Sequence, residues 1–261
     1  SRSQGYRHNL FDVVRGAGNM IEPSYANDDA DSGTSVGTSV QPSFLSDGFT
    51  VGVPSSGTYN GNLGTNENTT TFVTWNWKAG GTASANSNGT IQSSVSASTK
   101  SGFSIVSYTG NGGSSATVGH GLTKAPDCIW LKNRDAAEGW VSFWNTIDMG
   151  PTKFLGFNST GAASTSSGEW NNTAPTDTVF TIGNQGRVNT NTQKYIAYCF
   201  HNVDGHCRVG QYRGNGLSNG MFVFTGFRPA FILIKSIASG TDWAIYDNDR
   251  LGYNVDNNIM R

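Results

Sequence analysis

Two cysteines, two histidines and an aspartate stand within the nine residues CFHNVDGHC, 199–207. Thiolate sulfur and imidazole nitrogen are the ligands of structural zinc sites, so the segment suggests a zinc site. However, Cys199 stands in the middle of an apolar run, where a free cysteine packs as a small apolar side chain. In the internal repeat described below, Asn76 takes the place of Cys199. Because the ligand set does not recur, we predict no metal site here.

A cluster of carboxylates, Asp28, Asp29 and Asp31, stands beside Gly33 in the segment NDDADSG. Carboxylate oxygens are the ligands that calcium prefers, but an EF-hand loop also needs a glutamate at its twelfth position, which is missing here. We interpret the segment as a solvated turn, with a weak calcium site at the three aspartates as the alternative. The segment DNDR, 247–250, is interpreted in the same way, as a turn or a surface ion pair.

Trp170 stands in the polar segment SSGEWNNTAP rather than in an apolar run. An indole beside amide side chains can stack on a sugar ring and hydrogen-bond its hydroxyl groups. Trp170, Asn171 and Asn172 are therefore the candidate ligand-binding residues. The alternative, which we favour, is that the indole folds back onto its own domain as a packing group.

The sequence carries no H-E-x-x-H motif and no phosphate-binding loop. The segment YTGNG, 108–112, lacks the helix that follows a dinucleotide-binding loop, and we interpret it as a hairpin turn in which glycine supplies a positive φ. No aspartate or glutamate recurs in a glycosidase-like context. We therefore predict no catalytic residues and no cofactor, with an unmatched catalytic carboxylate pair as the alternative.

Charged residues make up only 13% of the chain, against about 25% in ordinary soluble domains. The net charge is −1 and there is no basic run, which argues against a nucleic-acid partner. The longest apolar runs are too short to span a membrane, so membrane insertion is not expected. Three cysteines give no disulfide framework.

Short runs of β-branched and aromatic residues, bounded by Gly, Asn, Asp or Pro, predict many short strands. The runs are GFSIVSYTG, DCIWLK, WVSFW, VFTIG, KYIAYCF and AFILIK. The unbroken run AFILIK is typical of a strand that is buried on both faces or lies in a sandwich core. The best helical candidate, HNLFDVVRGAG, reaches one or two turns before its glycines. We predict an all-β fold of antiparallel β-sandwich modules, of the jelly-roll or lectin-like kind.

These runs recur at a constant spacing. YTGNG at Tyr108 matches YRGNG at Tyr212, which lies 104 residues later (212 − 108). Trp140 in GWVSFWN matches Trp243 in DWAIYDN, at a spacing of 103 (243 − 140). A fixed period of this length indicates a tandem repeat, here of about 104 residues. We predict that Trp140 and Trp243 occupy equivalent buried strand positions.

A second set of matches relates the start of the chain to its middle. Phe49 in DGFTVG matches Phe180 in DTVFTIG, and Phe72 in TFVTWNWKAGG matches Tyr195 in KYIAYCFHNVDG. These two pairs are also predicted to occupy equivalent buried strand positions. The opening segment SRSQGYRHNLFD aligns with NRDAAEGWVSFWN of the middle.

The matches divide the chain into parts. These are the second half of a module in 1–80, a linker in 81–89, a complete module in 90–205 and the first half of a module in 206–261. Ser1 takes a place that follows a lysine in the other copies, and the chain ends on Arg261. We therefore expect a protease-resistant fragment of a longer protein, with an arbitrary boundary as the alternative. Each terminal half would expose a sheet face, so we expect neighbouring subunits to complete them, or else the halves to pair within the chain.

Three long motifs resemble repeat modules of structural proteins of marine bacteriophages, of the cyanophage and pelagiphage kind. The motifs begin SGFSIVSYTGNG, WNNTAPTDTVFTIG and GMFVFTGFRPAFILIKS. The resemblance covers nearly the whole chain and implies a virion component, such as a tail-fibre protein. It carries over no catalytic residues.

We therefore expect a non-enzymatic bacteriophage virion structural protein. A tail fibre or capsid-surface appendage that takes part in host attachment, on the surface of the extracellular particle, fits best. The expected partners are further copies of the chain, other virion proteins and a host-surface glycan. The alternatives are a carbohydrate-active enzyme or depolymerase of a phage tail, which glycan turnover would reveal, and a bacterial surface adhesin, which a signal peptide would favour.

Overall fold

The computed structural model describes residues 8–17, 19–27, 43–51, 65–66 and 68–249. Short antiparallel strands dominate this part of the chain, so the fold class is all-β, as predicted. Its helices are a 3-10 turn at Gly150–Thr152 and two single-turn α-helices, α1 (Ser167–Trp170) and α2 (Gly186–Asn189). None of these described helices has the length and apolar character needed to cross a membrane.

Eight antiparallel strands form one large sheet in the middle of the chain. In order across the sheet they are β10 (Ser164–Thr165), β9 (Lys153–Gly156), β8 (Val141–Trp144), β7 (Cys128–Asn133), β12 (Lys194–Phe200), β5 (Phe103–Thr109), β4 (Ser93–Ser98) and β3 (Ser84–Asn86). The central strand β12 pairs with β5 on one side and with β7 on the other. Its two faces lie in two different cores, which explains why KYIAYCF is apolar almost throughout.

One face of the large sheet is covered by a second, two-stranded sheet. In it β6 (Ala116–Gly119) pairs antiparallel with β11 (Val179–Ile182), and Phe180 lies opposite Val118. Their apolar side chains join those of alternate residues of the large sheet in the first core. The alternation follows from the two-residue period of a strand, which sends neighbouring side chains to opposite faces.

The YTGNG segment leads from β5 to β6. Gly112 has a φ of 70°, in the left-handed region that favours glycine. A side chain on Gly110 would collide with the backbone oxygen of Thr190. The predicted positive φ of glycine is confirmed, but the predicted hairpin is wrong, because the segment joins strands of two different sheets.

The other face of the large sheet is covered by segments from both ends of the chain. From the N-terminal side, Ile21 is buried in this second core against Tyr198 and Phe200 of β12. From the C-terminal side, a hairpin of β13 (Phe231–Ile234) and β14 (Ala244–Asp247) approaches the same face. Trp243, directly before β14, packs on Phe157 with 4.9 Å between ring centroids.

All six predicted strands are present. The burial predicted for AFILIK is wrong, because Ile232 in β13 is exposed. The helical candidate HNLFDVVRGAG forms a turn at 13–15 instead of a helix. Residues 84–86 of the predicted linker form the edge strand β3.

In each of the three pairs predicted to occupy equivalent buried positions, one residue is buried and the other is not. Trp140 is fully buried and Trp243 is half-buried, and each stands directly before a strand rather than in one, so the predicted buried strand positions are wrong for this pair. Phe49 lies in β2 (Phe49–Thr50), which pairs with β1 (Ser43–Phe44), but it is exposed, whereas Phe180 is buried. The prediction is therefore wrong for the burial of Phe49. It is also wrong for Phe72, which is half-buried outside any strand.

Candidate functional site

The tryptophan predicted to bind a ligand is buried. Trp170 ends α1, and the hydroxyl of Ser166 caps this helix by accepting a hydrogen bond from the Gly168 amide at 3.1 Å. The indole lies in the first core, where its ring meets Phe143 edge-on with 5.7 Å between centroids. Only 1% of Trp170 is exposed, so a sugar in solvent has no access to the ring face. The sugar-stacking interpretation is therefore wrong for Trp170, and the packing alternative describes it.

Asn171 and Asn172 form the turn that ends α1. Their φ angles are 48° and 52°, in the left-handed region that asparagine tolerates better than most residues. Asn171 is half-buried and Asn172 is exposed. Of the three predicted binding residues only Asn172 is exposed, so the structure does not bring them together as a ligand site.

The cysteine and histidine segment is a strand followed by a tight turn. Cys199 lies inside β12, and burial raises the pKa of its thiol to about 12. A zinc ligand has to be a thiolate, which this environment disfavours. The ring nitrogen Nδ1 of His201 lies 2.9 Å from the carbonyl of Asn202, and Cys207 closes the turn against Val203. Among the described residues, no group of three His, Cys, Asp or Glu side chains is placed to hold a metal.

The carboxylate cluster of Asp28, Asp29 and Asp31 lies outside the described residues. The calcium alternative at these positions therefore stays a prediction.

A shallow polar groove of about 360 Å³ crosses the ends of β3, β4, β5 and β12. Its lining residues are Ala85, Gln92, Ser93, Ser94, Ser107, Tyr108, Thr109 and Lys194. Ser94 lies opposite Ser107 in the β4–β5 ladder. Lys194 lies opposite Thr109 in the β5–β12 ladder, so hydroxyl groups and one ammonium group share a face. Sequence reasoning missed this groove because its members come from separate strands.

Two hairpins that lie 103 residues apart have the same register. In the first hairpin, Cys128 of β7 pairs with Trp144 of β8. Moving both positions by 103 gives Phe231 and Asp247, which form the corresponding pair of β13 and β14. The register of each hairpin is set independently by its own side chains and its own connection. The agreement between the two registers therefore supports the predicted equivalence of the two hairpins.

The N-terminal segment 8–27 matches the β8–β9 pair in the same way. Its aligned sequence lies 133 residues before that of the middle (145 − 12). Ser142 pairs with Leu155, and moving this pair by 133 gives positions 9 and 22. The next pair of such an antiparallel ladder joins Leu10 and Ile21, which form the observed bridge.

Trp140 and Trp243 each donate a hydrogen bond to a segment that lies earlier in the chain than their own hairpin. The indole N–H of Trp140 donates to the backbone carbonyl of Glu22 at 3.0 Å. The indole N–H of Trp243 donates to the carbonyl of Gly156 at 3.2 Å. Moved by 133, Gly156 corresponds to position 23, directly beside Glu22. Similar contacts thus join the N-terminal segment to the middle and the middle to the C-terminal hairpin.

The C-terminal hairpin has further contacts with the middle of the chain. The amide of Ala163 donates to the carbonyl of Ile237 at 2.9 Å. The ammonium group of Lys235 donates to the carbonyl of Thr160 at 3.2 Å and to that of Ser236 at 2.8 Å. These backbone acceptors fix the hairpin against the end of the large sheet.

An apolar strip, residues 217–224, is left uncovered before β13. Met221 is 53% exposed, Phe222 87% and Phe224 74%. Contiguous exposed apolar residues of this kind are uncommon on a single soluble chain.

The model of the family DUF7483, a domain of unknown function, matches residues 1–261. Neither a curated protein nor a solved structure matches the chain.

Proposed function

We propose that this chain, which belongs to the DUF7483 family, is a non-enzymatic structural protein of a bacteriophage particle. It serves as a tail fibre or capsid-surface appendage built from tandem modules of about 104 residues. Each complete module is a β-sandwich of the jelly-roll or lectin-like kind, in which the small β6–β11 sheet covers one face of the large sheet.

The observation that carries the proposal is the pair of tryptophan contacts. Trp140 reaches back to Glu22 and Trp243 reaches back to Gly156, at neighbouring positions of the repeat. Units that contact their predecessor through the same elements stack in one direction, as solenoid and array proteins do. An extended array of stable β-modules suits an appendage that projects from a particle.

The resemblance of the long motifs to marine bacteriophage modules supplies the setting. The low content of charged residues and the tightly turned strands fit a protease-resistant particle component. The partners under this proposal are other copies of the chain, further virion proteins and a glycan of the host surface.

The polar groove around Ser94, Ser107 and Lys194 is the surface that we assign to glycan contact in place of Trp170. Hydroxyl and ammonium groups hydrogen-bond sugar hydroxyls, and an open groove admits an extended chain. A weak contact at one module becomes strong when many modules on one particle bind together.

Immunogold electron microscopy with an antibody raised against this chain tests the proposal. Purified virus-sized particles from the source material should carry label on the tail or capsid surface. Label confined to the cellular fraction would contradict a virion location, and label on bacterial envelopes would favour an adhesin.

A polysaccharide turnover assay tests the non-enzymatic part of the proposal. Residues 33–37 read GTSVG, which matches the G-x-S-x-G pattern of hydrolase nucleophiles. These residues lie outside the described ones. We expect no turnover by the unchanged protein. Turnover that Ser35→Ala abolishes, or that a single Asp or Glu substitution abolishes, would make the protein an enzyme.

A further inference from the structure

We propose that the segment 72–78 is the strand partner of β13 within the same chain. The N-terminal and C-terminal halves of modules then share one sheet, so the halves pair within the chain and are not completed by neighbouring subunits. The inference rests on the tandem repeat proposed above and adds to it the partner of the C-terminal hairpin.

The C-terminal hairpin has an open edge. Among the strands that the structure describes, β13 pairs with β14 only. Its counterpart β7 pairs with β8 on one side and with β12 on the other. The hairpin therefore lacks a counterpart of β12, and an open edge of this kind leaves backbone N–H and C=O groups to be paired.

The segment 72–78 is the counterpart of β12 in the repeat. Phe72 matches Tyr195 at a spacing of 123 (195 − 72). At the same spacing, Trp77 matches Phe200, the last residue of β12 (200 − 77). The segment that the hairpin lacks is therefore present in the N-terminal half of the same chain.

This segment also has the residue pattern of a strand. Val73, Trp75 and Trp77 alternate with a threonine, an asparagine and a lysine at positions 74, 76 and 78. Val73 and Trp75 are half-buried, whereas the three polar residues are exposed. Alternation of apolar and polar residues over six positions is typical of a strand with one buried face.

The aromatic rings of the segment meet β13 where the repeat predicts. Phe200 pairs with Cys128 in the large sheet, and Cys128 is the counterpart of Phe231 at a spacing of 103 (231 − 128). The repeat therefore predicts that Trp77 lies beside Phe231. The ring centroids of these two residues are 5.9 Å apart, and the ring of Trp75 lies 5.6 Å from that of Phe231.

Both halves are attached to the same large sheet. The hydroxyl of Ser96 donates to the carbonyl of Gly81 at 2.6 Å, and the hydroxyl of Ser101 donates to the carbonyl of Lys78 at 3.1 Å. The C-terminal hairpin is attached through the hydrogen bonds of Ala163 and Lys235 described above. Because both partners are tethered to one sheet, pairing within the chain has the advantage of a high effective concentration over pairing with a second copy.

Disulfide trapping within one chain tests the inference at two exposed positions. Cys199 and Ile129 lie opposite each other in the large sheet. Their counterparts are Asn76 at a spacing of 123 (199 − 76) and Ile232 at a spacing of 103 (232 − 129). Asn76 and Ile232 are both exposed, so replacing them with cysteine leaves the cores unchanged.

Asn76→Cys and Ile232→Cys are combined in one chain in a Cys207→Ser background, because Cys207 is the native cysteine that is not fully buried. The protein is oxidised with glutathione disulfide at low protein concentration. Residues directly opposite in a ladder have a Cβ separation close to that of a disulfide, so we expect a disulfide within the chain and no dimer. Intact mass and migration without reductant report it.

The matched control combines Asn76→Cys with Leu233→Cys. Leu233 is the next residue of β13, and its side chain points to the opposite face of the strand. This pair should cross-link about tenfold more slowly or not at all. Equal cross-linking of the two pairs, or no disulfide in either, would overturn the inference. A dimer from the mixed single variants, without a disulfide inside the double variant, would overturn it in favour of a second copy.

Hydrogen exchange of the unchanged protein gives a second readout that needs no substitution. The amide of Asn248 donates to Ala230, and alternate residues of an antiparallel strand bond to opposite sides. The amides of Phe231 and Leu233 therefore point to the open edge. We expect them to exchange at least about tenfold more slowly than in an unstructured peptide, at concentrations where sedimentation shows a monomer.

Exchange of these two amides at the unstructured rate would overturn the inference, and so would protection that appears only in a dimer. Neither readout bears on the location of the protein in a particle, which the immunogold experiment decides separately.

Discussion

Trp140 and Trp243 make the same kind of hydrogen bond at two places in the chain. Each stands directly before the second strand of a hairpin, and each donates its indole N–H to a backbone carbonyl earlier in the chain. In the proposed repeat, the two acceptors, Glu22 and Gly156, fall at neighbouring positions. One hydrogen bond of this kind orients a large ring that also supplies apolar contact.

Removing the indole N–H group of either tryptophan should lower the stability of the protein by a similar amount. Trp140→Phe and Trp243→Phe keep an aromatic ring but lose the N–H group, so each should lower the free energy of unfolding by about 0.5–1.5 kcal/mol plus a packing loss. Urea denaturation measures the change. A large loss for Trp140→Phe beside none for Trp243→Phe would show that the contacts are not equivalent.

Asp12 fastens the N-terminal segment to the large sheet. Its carboxylate is buried with Arg15 and accepts a hydrogen bond from the hydroxyl of Tyr198 at 2.6 Å. Asp12→Ala leaves a buried guanidinium without this carboxylate, so we expect a loss of about 3–5 kcal/mol. Chemical denaturation and hydrogen exchange of residues 8–27 should both report it. The double variant Asp12→Ala/Arg15→Met should lose less, because it removes both charges; an equal loss would exclude the ion pair as the cause.

Trp170 should behave as a packing residue. Trp170→Ala removes a buried ring from the first core and should cost about 3–5 kcal/mol, measured by thermal or chemical unfolding. Asn172→Gly, two residues away and exposed, keeps a residue that tolerates the φ of 52° and should stay within about 0.5 kcal/mol of the unchanged protein. A Trp170→Ala protein of normal stability that no longer adsorbs to host cells would restore the ligand-binding interpretation.

His120 should make the fold sensitive to mild acid. Its Nδ1 accepts the amide of Leu122 at 3.1 Å, and burial lowers the pKa of the imidazole below its ordinary 6.5. The unfolded chain then takes up a proton at a pH where the folded chain does not, so this contribution is complete above the unfolded pKa and is lost as the pH falls. The slope reaches at most about 1.4 kcal/mol per pH unit. His120→Asn should flatten the stability profile between about pH 7 and 5; an unchanged profile would contradict the assignment.

The positions of the strands were predictable because the run of apolar residues that marks a strand lies within its own segment. KYIAYCF is apolar at every position after its lysine because β12 is buried on both faces. AFILIK carries the same signal, yet Ile232 is exposed, because burial depends on what covers a strand and not on the strand alone.

The candidate site was less accessible from sequence. A tryptophan among polar residues allows either a ligand-binding ring or a packing group, and the packing group that we favoured is the one present, because α1 turns the indole of Trp170 inward onto Phe143. The polar groove depends on the pairing of Ser94 with Ser107 and of Lys194 with Thr109. Which residues become neighbours depends on the order of the strands in the sheet. The pattern of residues within one segment carries no information about that order.

Each tryptophan contacts a segment that lies earlier in the chain. In the proposed tandem arrangement, contacts of this kind set no limit on the number of units. The copy number of a closed ring of subunits is fixed by its symmetry. The length of a linear array of tandem units is instead set by the number of units that the gene encodes. If the proposed tandem repeat holds, duplicating one stretch of about 103 residues would add one unit through contacts of the same kind. Unequal recombination between such units would then change how far the protein extends.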